Sequence, residues 1–599
     1  MIVFGLNLSH DDSCAAVVDG EVRVAIENER LSRIKHNEGR NEFGKMVPFA
    51  SIHYCCETLG ITPADVDLWV VNSVHRSAVD IMRAQALGIP AKKIIGLGIP
   101  GHHLAHAYSA YYCSPFEDAA VIVVDTNGGY AYRAGTRERT GHYPFPPLQD
   151  TRARQENYSI YAGRQGHLRE VAKDWLRQGE IGIGQLYMLY SAMLQLTPRP
   201  SGYYGKDDAL AAGGKLMGYA AYDLERTTPP HVWPARGGHL AMAMADFVAM
   251  FRKRGFITAV KPGADWNRTW SHQLQRVATF KPRECDLHDP AYVSLGGEAQ
   301  RLMEEAFLRI GELAARRTGL TKVCFAGGNA LNITALALEM DQGRFTDIFV
   351  QPAANDAGNA IGAAFYGYVS KGGRKRPYLS KPYTSFLGRT YSSRDVAEAL
   401  RAMPTPLTFT HVRQPRREQI ASALKHLLAQ RVIAICRGGS EFGPRALGHR
   451  SLLASPRRAA MTTTLNRIKG REWYRPVAPM VCEEDFERYF EGPVTRMPFM
   501  TLSARVSPTG RKWIPAACHV DGSARVQTVS RQSDPFMHAL LKAHEAESGV
   551  PVLINTSFNF GGEPIVETPA DAIASFARTK GVACLLVEDY CLEKRSLGA

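Results

Sequence analysis

At 599 residues the chain is longer than a single hydrophobic core can serve, so at least two domains are expected, with room for a cleft. Hydrophobic residues at 45% and charged residues at 22% exclude a disordered or fibrous chain, and a formal net charge of +14 favours anionic partners: nucleic acid, a membrane surface or phosphorylated small molecules. The eleven cysteines form no C-x-x-C pair, which fits a reduced compartment and argues against a zinc ribbon. The opening residues read as a strand rather than an export signal, and no apolar run reaches the roughly 18 residues of a membrane span, so a cytoplasmic protein without a membrane partner is expected.

In chain order, residues 1–8 and about 15–27 predict a hairpin around the polar turn Ser9-His10-Asp11-Asp12-Ser13, with Asp19-Gly20 as the next turn. The β-branched run 119–124 predicts a buried central strand ending on Asp125-Thr126-Asn127-Gly128-Gly129. The same pattern returns at 322–326, before Gly327-Gly328-Asn329 and a helix over 330–340. It returns again at 347–350, before Asn355-Asp356-Ala357-Gly358 and a small-residue helix. Four strand-to-loop units of this kind place polar loops where open α/β sheets bind ligands. An α/β domain over 1–375 is therefore expected, then a Gly/Pro/charge-rich linker beginning at 371 and a boundary near 370–390. A helix over 417–430 and a buried strand over 432–436 make the second domain, 385–599, α/β as well.

His102 and His106 are spaced i, i+4, which on a helix puts both imidazoles on one face, suited to one metal ion. A carboxylate would complete the shell, and Asp125 and Asp356, each at a strand end, are the candidates. His103 lies off that face and is read as structural. Taken alone, an H-x-x-x-H pair is more often a helix face of satisfied histidines, and the aspartates more often turn or helix caps.

The loops at 9–13 and 125–129 place backbone N–H groups where phosphate is cradled, and Gly327-Gly328 permits close approach before a helix N-terminus. His10, beside two aspartates, has the setting of a general base; its bland counterpart is a solvated turn histidine. Lys35 suits phosphate as a point charge, against the alternative of a solvated helical face. In the second domain residues 437–457 hold arginines between glycines, a composition suited to clamping oxyanions, and Lys469, Arg471 and Arg475 extend the positive field. Asn555 follows the strand 552–554 and offers an amide at its end.

Together and in order, G-L-N-x-S-H-D (5–11), E-x-E-R-L-S-R-I-K (27–35), G-H-H-L-A-H-A (101–107), A-G-G-N-A-L-N (326–332), N-D-A-G (355–358), E-F-G-P-R-A-L-G-x-R-S (441–451), K-x-R-E-x-x-R-P-x-A-P (469–479), D-G-x-A-R-V-Q-T-V (521–529) and N-T-S-F-N-x-x-G-E-P-I-V (555–566) resemble the O-carbamoyltransferase family of antibiotic, toxin and nodulation-factor biosynthesis, the NodU/CmcH type. The resemblance covers nearly the whole chain. It implies an actin-like ATPase-type duplicated N-terminal domain, which transfers a carbamoyl group to a small-molecule hydroxyl, or less readily an amine. It also implies a C-terminal domain similar to threonylcarbamoyl-AMP synthase, which makes carbamoyl-AMP from carbamoyl phosphate and ATP with release of pyrophosphate.

By the same resemblance the metal, iron(II) in type, falls to His102, His106, Asp125 and Asp356, and the base is His10 with Lys35 assisting. The nucleotide falls to Asp12, Asn127, Gly128, Gly327, Gly328, Asn332 and Asn355. Arg445, Arg450, Lys469, Arg475, Arg525 and Asn555 handle carbamoyl phosphate and ATP, the latter with Mg2+. The segment 130–205 is expected to face the acceptor. Two departures stand out: the family usually carries Asp-Gly-x-Gly where this chain has Asp125-Thr126-Asn127-Gly128, and Asn where it has His449. The rival readings are an actin-like small-molecule kinase, which leaves the arginine cluster unexplained, and a tRNA-modification or RNA-binding factor. No aromatic-basic platform supports the latter, so no nucleic-acid partner is expected. A homodimer is left open.

Overall fold

The run at 119–124 has no polar side chain to hold it at a surface, and it forms the wholly buried strand Ala119–Val124 inside a sheet. The computed structural model describes residues 1–9, 11–36, 50–72, 89–98, 100–131, 153–196, 212–225, 233, 238–266, 274, 278–280, 287–374, 382–404 and 408–595. The fold is α/β. It divides into two units, one of Met1–Ala25 with Met46–Tyr383, the other of Thr384–Ala599 joined by the early residues 26–36. That early segment was expected in the first domain; it groups with the second.

The first unit repeats one plan twice. One sheet runs Glu21–Glu27, Ser13–Val18, Ile2–Asn7, Leu68–Asn72, Ile94–Gly96, with Ile2–Asn7 antiparallel to Ser13–Val18 and parallel to Leu68–Asn72. Asp19 and Gly20 both have positive φ (49° and 89°), as a tight hairpin turn requires. In the other sheet Ala119–Val124 takes the same place: antiparallel to Arg154–Arg164, which pairs onward with His167–Leu176, and parallel to Lys322–Ala326, which pairs onward with Asp347–Val350.

The two halves exchange helices. His102–Cys113 follows the first sheet yet packs on the second, Asn359–Tyr366 follows the second yet packs on the first, and the two helices pack together. Small residues make this possible, since a Cβ on Gly362 would fall 1.8 Å from the Ala105 carbonyl oxygen and one on Gly5 would fall 1.9 Å from that of Ala360. The exchange brings the start of His102–Cys113, the end of Ala119–Val124 and the turn after Asp347–Val350 to one place.

The second unit is built on a mixed sheet in the order Phe409–Arg413, Tyr590–Lys594, Val582–Val587, Val432–Cys436, Arg450–Ala454, Val552–Ser557, Ala478–Cys482, Gln527–Val529. Helices Arg416–Leu428 and Pro535–Ser548 pack together against it over a core that includes Leu427, Ile433, Met480, Leu540 and Leu553. No helix among the described residues is long and apolar enough to cross a membrane.

Candidate metal centre and cationic cluster

In the first unit His102 and His106 leave one face of their helix with ring centroids 4.9 Å apart. His102 Nε2 lies 3.3 Å from Asp125 Oδ2 and 3.4 Å from Asp356 Oδ1, and His106 Nε2 lies 3.5 Å from the same Asp356 oxygen. One donor atom from each of the four buried residues falls within 4.8 Å of all the others. The outer oxygens of the two carboxylates are held from behind: Gly328 N–H donates to Asp125 Oδ1 at 2.7 Å, and the Ser9 hydroxyl donates to Asp356 Oδ2 at 2.9 Å. Such backing orients metal ligands, leaving the inner oxygens to face the imidazoles.

The donor set fits a divalent cation. Separations of 3.3–3.5 Å match the ~3.4 Å edge of a tetrahedron with ~2.1 Å metal–ligand bonds. Electrostatics agree: burial works against a charged His102, yet Asp356 and Asp125 hold it well above the ordinary imidazole range. Asp125 is held below the carboxylate range, against its burial, by its hydrogen bond to His102. Two carboxylates buried this close call for a positive charge between them.

The loops around this centre are tightly fitted. Gly327 (φ 91°) admits no side chain, because a Cβ would fall 2.3 Å from the Val124 carbonyl oxygen, and one on Gly128 would fall 2.6 Å from His103 Nε2. Thr126, where the family usually has Gly, donates its hydroxyl to Asn329 Oδ1 at 3.3 Å, and Gly184 leaves room for it. His103 packs Nδ1 against the Ser159 hydroxyl at 2.8 Å and is pushed by burial down to about 4, so it stays neutral. Of the expected nucleotide residues, Asn127 Oδ1 meets the amides of Gln155 and Gln185, and Asn355 Nδ2 donates to Asp11 Oδ2. Asp12 is buried, while Asn332 has its amide engaged, capping the helix Ile333–Asp341 and bonding Gln300. His10 lies outside the described residues, as do 132–152 and 197–205 of the segment expected to face the acceptor.

Sequence reasoning missed Glu156. Its Oε2 accepts the backbone N–H of His103 (3.2 Å) and of Gly129 (3.0 Å), tying the histidine helix to the loop of Asp125, while Lys173 neutralises Oε1 at 2.9 Å. Nothing but its place on a strand long enough to be buried marks it.

The second unit holds the opposite charge. Arg445 is pushed well down by burial and by Arg525. Arg525 is pushed down to about 10 by burial and Arg475, and Arg471 to about 9 by burial, Arg475 and Arg525. Lys469 is pushed well down by burial and then by Arg471, Arg475 and Lys35. Positive neighbours thus lower each of these cations, while Glu472 opposes at Arg471, Glu563 at Lys469, and Glu472 also lies 3.7 Å from Arg475. Arg525 Nε is buried with no hydrogen-bond partner.

Lys35, expected beside His10, groups with this unit. Its segment is docked by Arg30, whose Nη2 donates to the Gly443 carbonyl at 2.7 Å, and by Arg33, which donates to the carbonyls of Ile565 and Pro564 at 2.6 and 2.7 Å. The loop it meets is folded by Glu441, whose Oε1 accepts the N–H groups of Leu447 (2.6 Å) and His449 (2.9 Å). His449 stacks on Phe386 at 3.7 Å.

Three expected ligand residues are engaged with the protein itself. Arg450 bonds the carbonyls of Arg437, Gly438 and Glu567. Asn555 lies within the strand Val552–Ser557 rather than past its end and donates to the Ala446 carbonyl. Lys469 Nζ donates to Ser557 and Asn559.

Fold and sites thus define a two-unit α/β protein with a buried cluster of four metal-ligand side chains in one unit and partly buried guanidinium groups in the other. The chain belongs to the carbamoyltransferase family: residues 3–95, 68–228 and 274–365 match the carbamoyltransferase N-terminus and residues 424–594 the carbamoyltransferase C-terminus. It is 30% identical to nodulation protein NolNO of Sinorhizobium fredii over 98% of this chain and 79% of that protein. It is 40% identical to nodulation protein NolO of Bradyrhizobium diazoefficiens over 47% of this chain and 50% of the other. With the 3'-hydroxymethylcephem-O-carbamoyltransferase of Amycolatopsis lactamdurans it shares 34% identity over 56% of this chain and 63% of that enzyme.

Proposed function

We propose that the protein is an ATP-dependent O-carbamoyltransferase acting in two steps, with an actin-like first domain and a second domain of the threonylcarbamoyl-AMP synthase kind. The duplicated sheet plan of the first unit supports the former. In the second unit water cleaves carbamoyl phosphate to carbamate and phosphate, a carbamate oxygen then joins the α-phosphorus of ATP as its bond to pyrophosphate breaks, and pyrophosphate leaves, Mg2+ accompanying the nucleotide. Carbamoyl-AMP then passes to the first unit, where a small-molecule hydroxyl attacks the carbamoyl carbon and AMP departs.

The observation that carries the first step is the convergence of positive charge: beyond burial, Arg525 lowers both Arg445 and Arg471, and Arg475 lowers both Arg471 and Arg525. Buried like charges are costly without a counter-ion, and two phosphorylated substrates bring several negative charges to neutralise them. Lys35 belongs with this group, as the charge that Lys469 feels. In the first unit a divalent cation, iron(II) on the resemblance, held by His102, His106, Asp125 and Asp356 would supply positive charge against the nucleotide phosphate. Gly128 and Gly327 keep backbone near it free of side chains, and His10 takes the hydroxyl proton.

The test is to incubate the protein with ATP and carbamoyl phosphate and assay pyrophosphate, phosphate and carbamoyl-AMP. ADP formed without any need for carbamoyl phosphate would refute the reading and favour a kinase. His10→Asn should keep pyrophosphate release and lose transfer.

A further inference from the structure

The second unit also contains a cluster that the carbamoyl chemistry does not use. The strand Ala478–Cys482 runs directly into the turn Glu483–Asp485, so Glu484 follows Cys482 by two residues. His538 comes from the first turn of the helix Pro535–Ser548, whose start is fixed by Asp534 accepting the N–H groups of Phe536 and Met537. A sulfur, a carboxylate oxygen and an imidazole nitrogen from these three residues all lie within 4.8 Å of one another. We propose that Cys482, Glu484 and His538 form a second metal site, which takes a zinc-class divalent cation through one sulfur, one oxygen and one nitrogen and leaves a fourth position to water.

The donor chemistry selects the ion. Thiolate with imidazole favours zinc and its neighbours over magnesium or calcium, and three protein ligands with an open fourth position is a known zinc arrangement. An ion pair accounts for His538 Nε2 and Glu484 Oε1 at 2.8 Å, but gives no reason for a thiol at the same point. The fixed and adjustable parts are also well divided. Cys482 is held in the core, whereas Glu484 is exposed and His538 partly so, free to close from 4.8 Å or less to the ~3.6 Å that zinc–sulfur and zinc–nitrogen bonds of ~2.3 and ~2.1 Å require.

Lys542, the nearby cation, does not claim the site. Its ammonium lies 2.6 Å from Asp485 and 3.0 Å from Glu545, and only 3.5 Å from Glu484, so its charge is balanced elsewhere. Binding replaces the thiol proton of Cys482 by the cation, and thiolate plus carboxylate balance a 2+ charge.

The test uses the full chain, stripped with a chelator and titrated with cobalt(II) as a coloured stand-in for zinc. The four-residue centre of the first unit has no sulfur, so a thiolate-to-cobalt charge-transfer band excludes that centre, and its loss in Cys482→Ser assigns it to this site rather than to another cysteine. The expected result is one such band per chain, bleached by one equivalent of zinc and lost in Cys482→Ser. Because Cys482 lies in the core, His538→Gln provides a surface variant, with cobalt binding at this band weakened at least tenfold. No thiolate band in the wild type, a full band in Cys482→Ser, or unaltered affinity in His538→Gln would each overturn the proposal.

Discussion

Arg525→Met should make the protein more stable while removing its response to phosphorylated substrate. The Arg525 guanidinium is pushed down to about 10, which is roughly three-hundredfold in proton affinity, or about 3.4 kcal/mol. The group is partly exposed, and solvent screening reduces this to about 1–2 kcal/mol. A cation whose folded value lies below its unfolded one is charged in both states at neutral pH, so it weakens the fold in full below about pH 10 and progressively less as pH rises from there toward the ordinary guanidinium value. Methionine keeps the aliphatic volume and removes the charge. For a unit of this size about 1–2 kcal/mol is a rise of roughly 2–8 °C in its unfolding transition. Substrate reverses the ranking: carbamoyl phosphate at a hundred times its Kd stabilises the wild type by about 2.7 kcal/mol and the variant by little. Scanning calorimetry of both proteins, with and without carbamoyl phosphate, measures all four values. A variant less stable without ligand, or one stabilised by ligand as much as the wild type, would refute the argument from unneutralised charge.

Other outcomes follow from the same geometry. His106→Ala removes one of four ligands and should weaken metal binding by two or more orders of magnitude, read as metal per chain by elemental analysis, with pyrophosphate release unaffected. Arg30→Met leaves Glu27 buried without its 3.1 Å partner and frees the Gly443 carbonyl, and should destabilise the second unit by about 3–5 kcal/mol in denaturant unfolding. Hydrogen bonds to Asp174 and Glu180 push His239 up to about 10, so its contribution is complete below about pH 6.5 and is lost as pH rises through about 10. His239→Gln should flatten that alkaline decline in the first unit's thermal stability.

What was legible in the sequence was what short-range pattern encodes. The run Ala119–Val124 had to be a buried strand, the spacing of His102 and His106 had to share a helix face, and aspartates just past buried strands had to lie at sheet ends. That these three places coincide depends on the exchange of helices between the half-domains, for which Gly5 and Gly362 are the only local signs. Residues 26–36 fall within the stretch matching the carbamoyltransferase N-terminus, yet their hydrogen bonds are remote and no local pattern shows them: Arg30 bonds a carbonyl 413 residues away and Arg33 one 532 residues away. Composition marks an arginine or lysine but not its acceptors, so the sequence does not show that Arg450 bonds backbone carbonyls or that Lys469 bonds both backbone and side chains of Ser557 and Asn559. Glu156 went unread because a lone glutamate in a strand carries no spacing to interpret.

The two units solve opposite electrostatic problems, and this is what relates the local geometry to the chemistry. In the first, two carboxylates are buried with their outer oxygens bonded by Gly328 and Ser9 and their inner oxygens facing His102 and His106, a set that a cation would complete. In the second, Arg445, Arg471 and Arg525 are each lowered by a neighbouring arginine as well as by burial, a setting that an anion would relieve. Were the clusters structural, each would be expected to contain its own counter-charges, as Lys542 does with Asp485 and Glu545. On the proposed function the two would be completed by phosphorylated substrates, directly at the arginines and through a cation at the histidines.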